Sequence, residues 1–277
     1  MIELDRTLAE RFGGYASYVR TDEPTRETYG DGSNEEMDRL LDRFCHSESR
    51  VLDVGCGAGF TLCRLAPQVA EIWGFDEAPD LLEATQQRIS HLGLNNAQAV
   101  LGNVAVADDV RTQLPDDHFD RVFSRRGPNI TDTLLNKMKP DAIVIQELVQ
   151  GTLGLTQLFG RAPFLPHVGS DPHWLIGHYA ELDLLPVSVK DYFFDDYYRE
   201  PEHLIRDLKG LLLWDWRMQA YPYDEGRDRD ALNLYIRYNT TPRGIRVMHR
   251  RSVYVFRRAN VQRFPAVPEA KRKYALY

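Results

Sequence analysis

Short apolar runs alternate with amphipathic stretches through the first half of the chain. The runs are Val51–Val54, Ile72–Phe75, Ala97–Leu101, Arg121–Ser124 and Ala142–Glu147. Between them the clearest helical pattern spans Pro79–Leu94, where Leu81, Leu82, Ala84, Ile89 and Leu92 fall mostly on one face. Strand and helix units of this length predict a doubly wound, mostly parallel α/β sheet with helices on both faces. The last third changes character. Residues 151–184 carry Phe159, Phe164, Pro166, Trp174 and Tyr179 without a clean strand. An extended run over Pro186–Phe194 and helical patterns at 201–213 and 227–238 follow. The final apolar run, within 244–258, is apolar at every position from Val253 to Phe256, which predicts a late strand buried on both faces.

Upstream, a short N-terminal helix is expected, then a mobile loop at 21–36 (TDEPTRETYGDGSNEE), then a second helix near 35–46. The expected organisation is an N-terminal helical segment over 1–48, a core domain over 49–260 with an aromatic insertion at 151–184, and a basic tail over 261–277.

Composition narrows the classes. With 277 residues and 43% hydrophobic content, one enlarged α/β domain is expected. The opening MIELDRTLAERFGG is charged and lacks an apolar run, so no secretory signal is expected. No window suits a membrane-spanning helix. Cys45, Cys56 and Cys63 lack metal-type spacing and read as reduced thiols, so a cytoplasmic protein without a structural metal is expected. The net charge of −7 is unevenly spread: residues 21–42 hold eight acidic and two basic side chains, whereas 243–277 hold ten basic and one acidic, Glu269. Either the two ends pack together, or the tail meets an anionic partner, or both are solvated surface.

The sharpest chemical signal is Val51-Leu52-Asp53-Val54-Gly55-Cys56-Gly57-Ala58-Gly59-Phe60, an apolar strand running into three alternate glycines and a helix. Glycines there permit left-handed backbone and remove Cβ atoms from a ligand's path. The carboxyl end of the first parallel strand is where open α/β sheets bind nucleotides. A dinucleotide loop spaces its glycines as G-x-G-x-x-G to hold a pyrophosphate. Here the third glycine, Gly59, comes one position early, and Asp53 precedes the first by two. A carboxylate in that place suits a cationic ligand without phosphates.

These residues resemble the first motif of the class I S-adenosylmethionine-dependent methyltransferases, Asp53-x-Gly55-x-Gly57-x-Gly59. The resemblance continues through Ile72-Trp73-Gly74-Phe75-Asp76, Leu101-Gly102-Asn103-Val104-Ala105 and Leu114–Ser124, covering 48–150 well and the remainder in outline. It implies a Rossmann-like sheet of seven strands ending in an antiparallel pair, and S-adenosyl-L-methionine as cofactor. Asp76 then holds the ribose hydroxyls, with Glu77 beside it; as plain chemistry, Asp76 could equally cap the next helix. Asn103 and Val104 take the adenine end, with asparagine replacing the family's usual aspartate. Cys56 and Ser124 complete the cofactor set, and Tyr18, following Gly13-Gly14-Tyr15, belongs to an N-terminal lid that shields the sulfonium.

On the acceptor side, Ser124-Arg125-Arg126-Gly127-Pro128-Asn129 follows a strand's carboxyl end. Arg125 and Arg126 suit an anionic acceptor, or else form surface ion pairs with Asp116, Asp117 or Asp120. Trp174 is a further acceptor-side candidate, and the cluster Tyr192–Tyr198 is either an acceptor wall or a strand packed on a helix. His118, His167 and His173 are the weak candidates for a base, needed only for a protonated acceptor. The expected reaction is methyl transfer to O or N of a small or medium-sized organic molecule. The alternatives are an RNA base methyltransferase of the ribosomal-RNA guanine type, for which the basic C-terminal region would meet phosphates, a non-catalytic S-adenosylmethionine-binding protein, and a nicotinamide oxidoreductase.

Overall fold

The computed structural model describes residues 26–153, 172–209 and 224–259. In chain order the elements are β1 (Arg26–Tyr29), α1 (Ser33–Phe44), β2 (Arg50–Val54), α2 (Phe60–Leu65), β3 (Glu71–Asp76), α3 (Pro79–His91), β4 (Ala97–Leu101), α4 (Ala107–Gln113), β5 (Phe119–Arg125), α5 (Asp132–Leu135), β6 (Met138–Leu153), α6 (Pro172–Glu181), β7 (Leu184–Tyr198), α7 (Pro201–Lys209), α8 (Glu225–Asn239), β8 (Thr240–Thr241) and β9 (Gly244–Arg258). They build one mixed sheet in the order β1-β7-β9-β6-β5-β2-β3-β4, with β8 pairing β9. The strands β4, β3, β2, β5 and β6 are parallel to one another; β9 and β7 are antiparallel to their neighbours.

Strand alternation sorts the core into two faces. Leu52, Val54, Val122, Val144, Tyr254 and Phe256 pack towards α4, α5 and α6, with Leu175 and Tyr179 of α6 against them. Val51, Phe123, Ile145, Val253 and Val255 point the other way, onto α1 and α2. The late strand therefore enters the sheet interior, between β6 and β7, and is covered on both faces. In α1, Met37, Leu40 and Leu41 recur at helical spacing and are buried. Its start is fixed by Asp31, whose Oδ1 accepts from Ser33 N at 3.0 Å, and acidic residues in its first turn suit the helix dipole.

Several boundaries differ from expectation. The sheet holds nine strands, not seven, because the short β1 and β8 join seven longer ones. The stretch 21–36 is not a loop throughout: Arg26–Tyr29 pairs antiparallel with Asp195–Tyr198, fastened by Thr28 Oγ1 donating to Asp196 Oδ1 at 2.6 Å. The fifth parallel strand runs to Leu153, so residues 151–153 of the aromatic insertion are strand, and its end is helix α6. Parallel pairing of β5 with β6 stops at Arg125–Glu147, whereas β6 continues against β9 to Leu153–Met248. The antiparallel arm of β6, β9 and β7 thus overshoots the parallel strands at their carboxyl end. A separate small core caps the arm, where Tyr198, Ile245 and Val247 meet Leu204 of α7 and Leu232 and Tyr235 of α8.

Among the described residues no helix is long and apolar enough to cross a membrane. The three cysteines are free and buried. The acidic and basic stretches do meet: Arg251 Nη1 lies 2.7 Å from Asp31 Oδ2.

Candidate functional site

All three glycines after β2 are left-handed, with φ of +78° at Gly55, +54° at Gly57 and +77° at Gly59. Their surroundings differ. A Cβ on Gly55 would lie 2.7 Å from Pro128 Cδ, and one on Gly59 would lie 2.7 Å from Thr85 Cγ2; one on Gly57 would meet nothing within 4 Å. Gly55 and Gly59 therefore serve close packing, and Gly57 alone faces open space. The loop is braced from α3: Thr85 Oγ1 donates to Gly57 O at 2.7 Å and Arg88 Nε to Ala58 O at 2.8 Å.

The Gly57 N–H donates to Asp76 Oδ2 at 2.8 Å, while Asp76 Oδ1 accepts from Ala78 N at 2.9 Å. Asp76 thus ties the turn leading into α3 to the glycine loop, although Ala78, not Asp76, is the helix's N-cap residue. An amide committed to the protein's own carboxylate is a poor element of a pyrophosphate cradle, which argues against a dinucleotide. Each carboxylate oxygen keeps a further lone-pair direction for a ligand diol. Beside it Asn103 Nδ2 donates to Glu77 Oε2, and Asn103 Oδ1 accepts from Ala105 N at 2.8 Å. This explains asparagine in place of aspartate: a third carboxylate against Glu77 and Asp76 would repel, whereas the carboxamide donates.

These groups surround a cleft of about 510 Å³ at the carboxyl ends of β2, β3, β4 and β5, a size suited to a nucleoside-like ligand. Asp53, Gly55, Cys56, Gly57, Asp76 and Glu77 line it, as do Asn103, Val104, Arg125 and Arg126. Asp53 is only 2% exposed. Burial, then the neighbouring Asp76 charge, push its carboxyl well above the usual aspartate range, and Arg125 pulls the other way. The Cys56 thiol is likewise pushed up by burial, which keeps it protonated and a packing group rather than a nucleophile.

Other predicted residues lie elsewhere. Gly59 does not line the cleft; it backs onto Thr85. Ser124 is fully buried, with Oγ donating to Pro128 O at 2.8 Å, so it shapes the loop rather than facing the cleft. Arg125 and Arg126 do not pair with Asp116, Asp117 or Asp120: Arg125 Nη1 lies 2.8 Å from Asp38 Oδ1, and both Nε atoms lie 3.6 Å from Glu147 Oε2. Asp116 pairs with Lys137 instead. His118 precedes β5, at the end of the sheet away from the cleft, with Nε2 2.8 Å from Glu71 Oε2 and its ring against Trp73 and Phe119. In Tyr192–Tyr198, Tyr198 packs on α7 and α8, as a strand end on helices. Tyr18 and His167 lie outside the described residues; His173 and Trp174 belong to α6, with side chains outside them. The cleft also takes in Phe60, Thr61, Leu81 and Gly102, which sequence reasoning missed. The first turn of the helix after the glycine loop was the available signal for Phe60 and Thr61.

The carboxyl side of β5 is fixed by a buried polar network. Tyr179 of α6 donates to Gln146 Oε1 and accepts from Ile130 N at 2.8 Å. Gln146 Nε2 in turn donates to Asn129 Oδ1 at 2.9 Å.

Residues 45–150 match the family model described as a methyltransferase domain. A protein-L-isoaspartate O-methyltransferase of Saccharophagus degradans is 30% identical over 97 residues, 35% of this chain and 41% of that protein. An uncharacterized methyltransferase of Bacillus subtilis, YcgJ, is 32% identical over 81 residues, 29% of this chain and 30% of that protein. The chain therefore spans less than half the length of these curated relatives. A functionally unknown protein from Deinococcus radiodurans shares the fold with a TM-score of 0.59 at 19% identity, over 93% of this chain and all of that one.

Proposed function

We infer that this chain, whose residues 45–150 are a methyltransferase domain of the S-adenosylmethionine-dependent class I family, is an enzyme that methylates O or N of a small or medium-sized organic acceptor. The observation that carries the reading is the pairing of a half-buried glycine loop, its Gly57 amide already bonded to Asp76, with acidic groups around one cleft. Gly57 faces open space, and Asp53, Asp76 and Glu77 line the cavity in front of it. A sulfonium nucleoside fits that chemistry: a diol for Asp76, a cationic amino-acid part for Asp53, and an adenine edge for Asn103 and Val104.

S-Adenosylmethionine supplies a methyl group already activated on sulfur. The protein's task is then to bind, align and exclude water, and proximity alone can supply much of the acceleration. The glycine loop lets the ligand lie against backbone, and Asp76 holds loop and helix in register. The post-β5 loop, held by Tyr179 and Gln146, fixes the wall on the acceptor side. Arg125 and Arg126 contribute that wall's cations.

A small acceptor is favoured over RNA because three arginines of the C-terminal strand already have carboxylate partners. Arg246, Arg250 and Arg251 pair with Asp195, Asp191 and Asp31, so β9 does not present them as a phosphate-binding stripe. The test is calorimetric titration with S-adenosylmethionine, S-adenosylhomocysteine and NAD. Binding of both sulfur ligands and not NAD is expected; a folded protein that binds neither would overturn the reading.

A further inference from the structure

The cleft carries charges of both signs. Asp53, Asp76 and Glu77 line it, and so do Arg125 and Arg126, Arg125 near enough to Asp53 to draw its carboxyl down. Behind the arginines lies Glu147, on β6, wholly buried. Its Oε2 is 3.6 Å from the Nε atoms of both Arg125 and Arg126, its Oε1 is 3.6 Å from Arg251 Nη1, and Ser33 Oγ donates to Oε1 at 3.1 Å. One carboxylate thus serves three guanidiniums. Arg125 and Arg251 are also drawn outward, to Asp38 at 2.8 Å and Asp31 at 2.7 Å. Arg126 meets Glu147 through Nε, the inner nitrogen of its guanidinium, and lines the cleft.

The backbone at Arg126 is itself telling. Its φ is +60°, a region that disfavours arginine and suits glycine or asparagine. The turn is enforced by its neighbour: a Cβ on Gly127 would lie 2.6 Å from Val54 O, so Gly127 packs directly on the end of β2. The Arg126 N–H donates to Glu147 O at 3.0 Å, which locks the conformation. A cationic side chain kept on a strained backbone at the wall of a binding cleft points to a ligand contact rather than to packing.

We propose that Arg126, braced by Glu147, is an oxyanion subsite for the methyl acceptor, so that the acceptor carries a carboxylate or a phosphate group. The proposal rests on the methyltransferase reading above. A guanidinium fork matches either oxyanion in a bidentate manner and would orient the acceptor relative to the donor. The buried Glu147 charge, 3.6 Å from Arg126 Nε and beyond hydrogen-bond distance, attracts the guanidinium towards this wall.

The test uses the full chain and begins with S-adenosylhomocysteine binding to the wild type. Absence of binding sinks the methyltransferase reading before any anion is added, and this proposal with it. The saturated protein is then exposed to millimolar inorganic phosphate or benzoate and its melting temperature followed. At least one should raise it, and the more effective anion names the acceptor's class. Arg126→Asn, which suits the left-handed backbone, should remove the shift while S-adenosylhomocysteine affinity changes by less than about threefold. In the wild type, phenylglyoxal modification of Arg126, mapped by mass spectrometry, should be slowed by the same anion in the saturated protein. This arm needs no variant to fold. No shift with either anion, or a shift retained in Arg126→Asn, overturns the proposal. So does a loss of S-adenosylhomocysteine affinity of about tenfold or more with anions competing against it, because that outcome gives the guanidinium to the donor's own carboxylate.

Discussion

Gly57 and Asp76 are joined by one hydrogen bond, Gly57 N–H to Asp76 Oδ2 at 2.8 Å, which closes the glycine loop of β2 onto the end of β3. Because Asp76 Oδ1 also accepts from Ala78 N, the residue has two duties, and Asp76→Ala should reveal both. Affinity for S-adenosylhomocysteine, measured by calorimetry, should fall by about 1–3 kcal/mol, the usual penalty for leaving polar partners unpaired. The melting temperature should fall as well. A lower melting temperature with an unchanged dissociation constant would leave Asp76 as a brace alone.

The three loop glycines should separate in their effects. Gly57→Val places its side chain in the open cleft, so ligand binding should be lost with a folded protein, apart from the ~1–2 kcal/mol cost of a left-handed non-glycine residue. Gly55→Ala drives a methyl onto Pro128, so it should lower the melting temperature more. Retained micromolar binding in Gly57→Val would take the loop out of the site.

Much of this arrangement was written in local sequence. The apolar run before Gly55 and the alternate glycines are a local pattern, and so is the buried run Val253–Phe256; both gave their strands directly. What stayed hidden depends on distant partners. Strand β1 is four residues long and exists through pairing with Asp195–Tyr198, far along the chain. Arg125 finds Asp38 87 residues away, so the pairs suggested by sequence proximity, with Asp116, Asp117 and Asp120, were the wrong ones. A residue preceding a parallel strand lies at its amino end, which already removes His118 from a site built at carboxyl ends. Ser124 is placed instead by the turn after β5, where its Oγ donates to Pro128 O, a contact that the alternation of Val122 and Phe123 between two covered faces does not reveal.

Ligand affinity should depend on pH through Asp53. Burial and the Asp76 charge raise its folded-state value above the usual 3.8, so in the free protein it holds a proton over a window that begins there and extends upward. Across that window the unfolded chain binds fewer protons than the folded one, so free-protein stability falls as pH rises. A cationic ligand favours the ionised carboxylate and expels the proton, so affinity should rise with pH through the same window. Calorimetry in buffers of different ionisation enthalpy should register proton release, and Asp53→Asn should abolish it. Equal heats in all buffers with the wild type would remove Asp53 from contact with the ligand's charge.

The buried network under the acceptor wall gives a test that separates positioning from stability. Tyr179→Phe leaves Ile130 N–H and Gln146 Oε1 without their shared hydroxyl partner. Each buried group left unsatisfied costs about 1–3 kcal/mol, and a kilocalorie lowers the melting temperature of a chain this size by about 2–4 °C. Tyr235→Phe is the control. Its hydroxyl donates to Arg246 O at 3.0 Å in the small core that caps the arm, none of whose residues lines the cleft. Both variants should melt earlier, and Tyr179→Phe alone should also weaken S-adenosylhomocysteine binding, because Gln146 would then hold Asn129 and Pro128 less firmly beside Gly55. Equal affinities in the two variants would make the Tyr179 network a matter of stability only, and would leave the Ser124 Oγ to Pro128 O bond, the Arg126 N–H to Glu147 O bond and the close packing of Gly55 and Gly127 as what holds the post-β5 loop at the cleft.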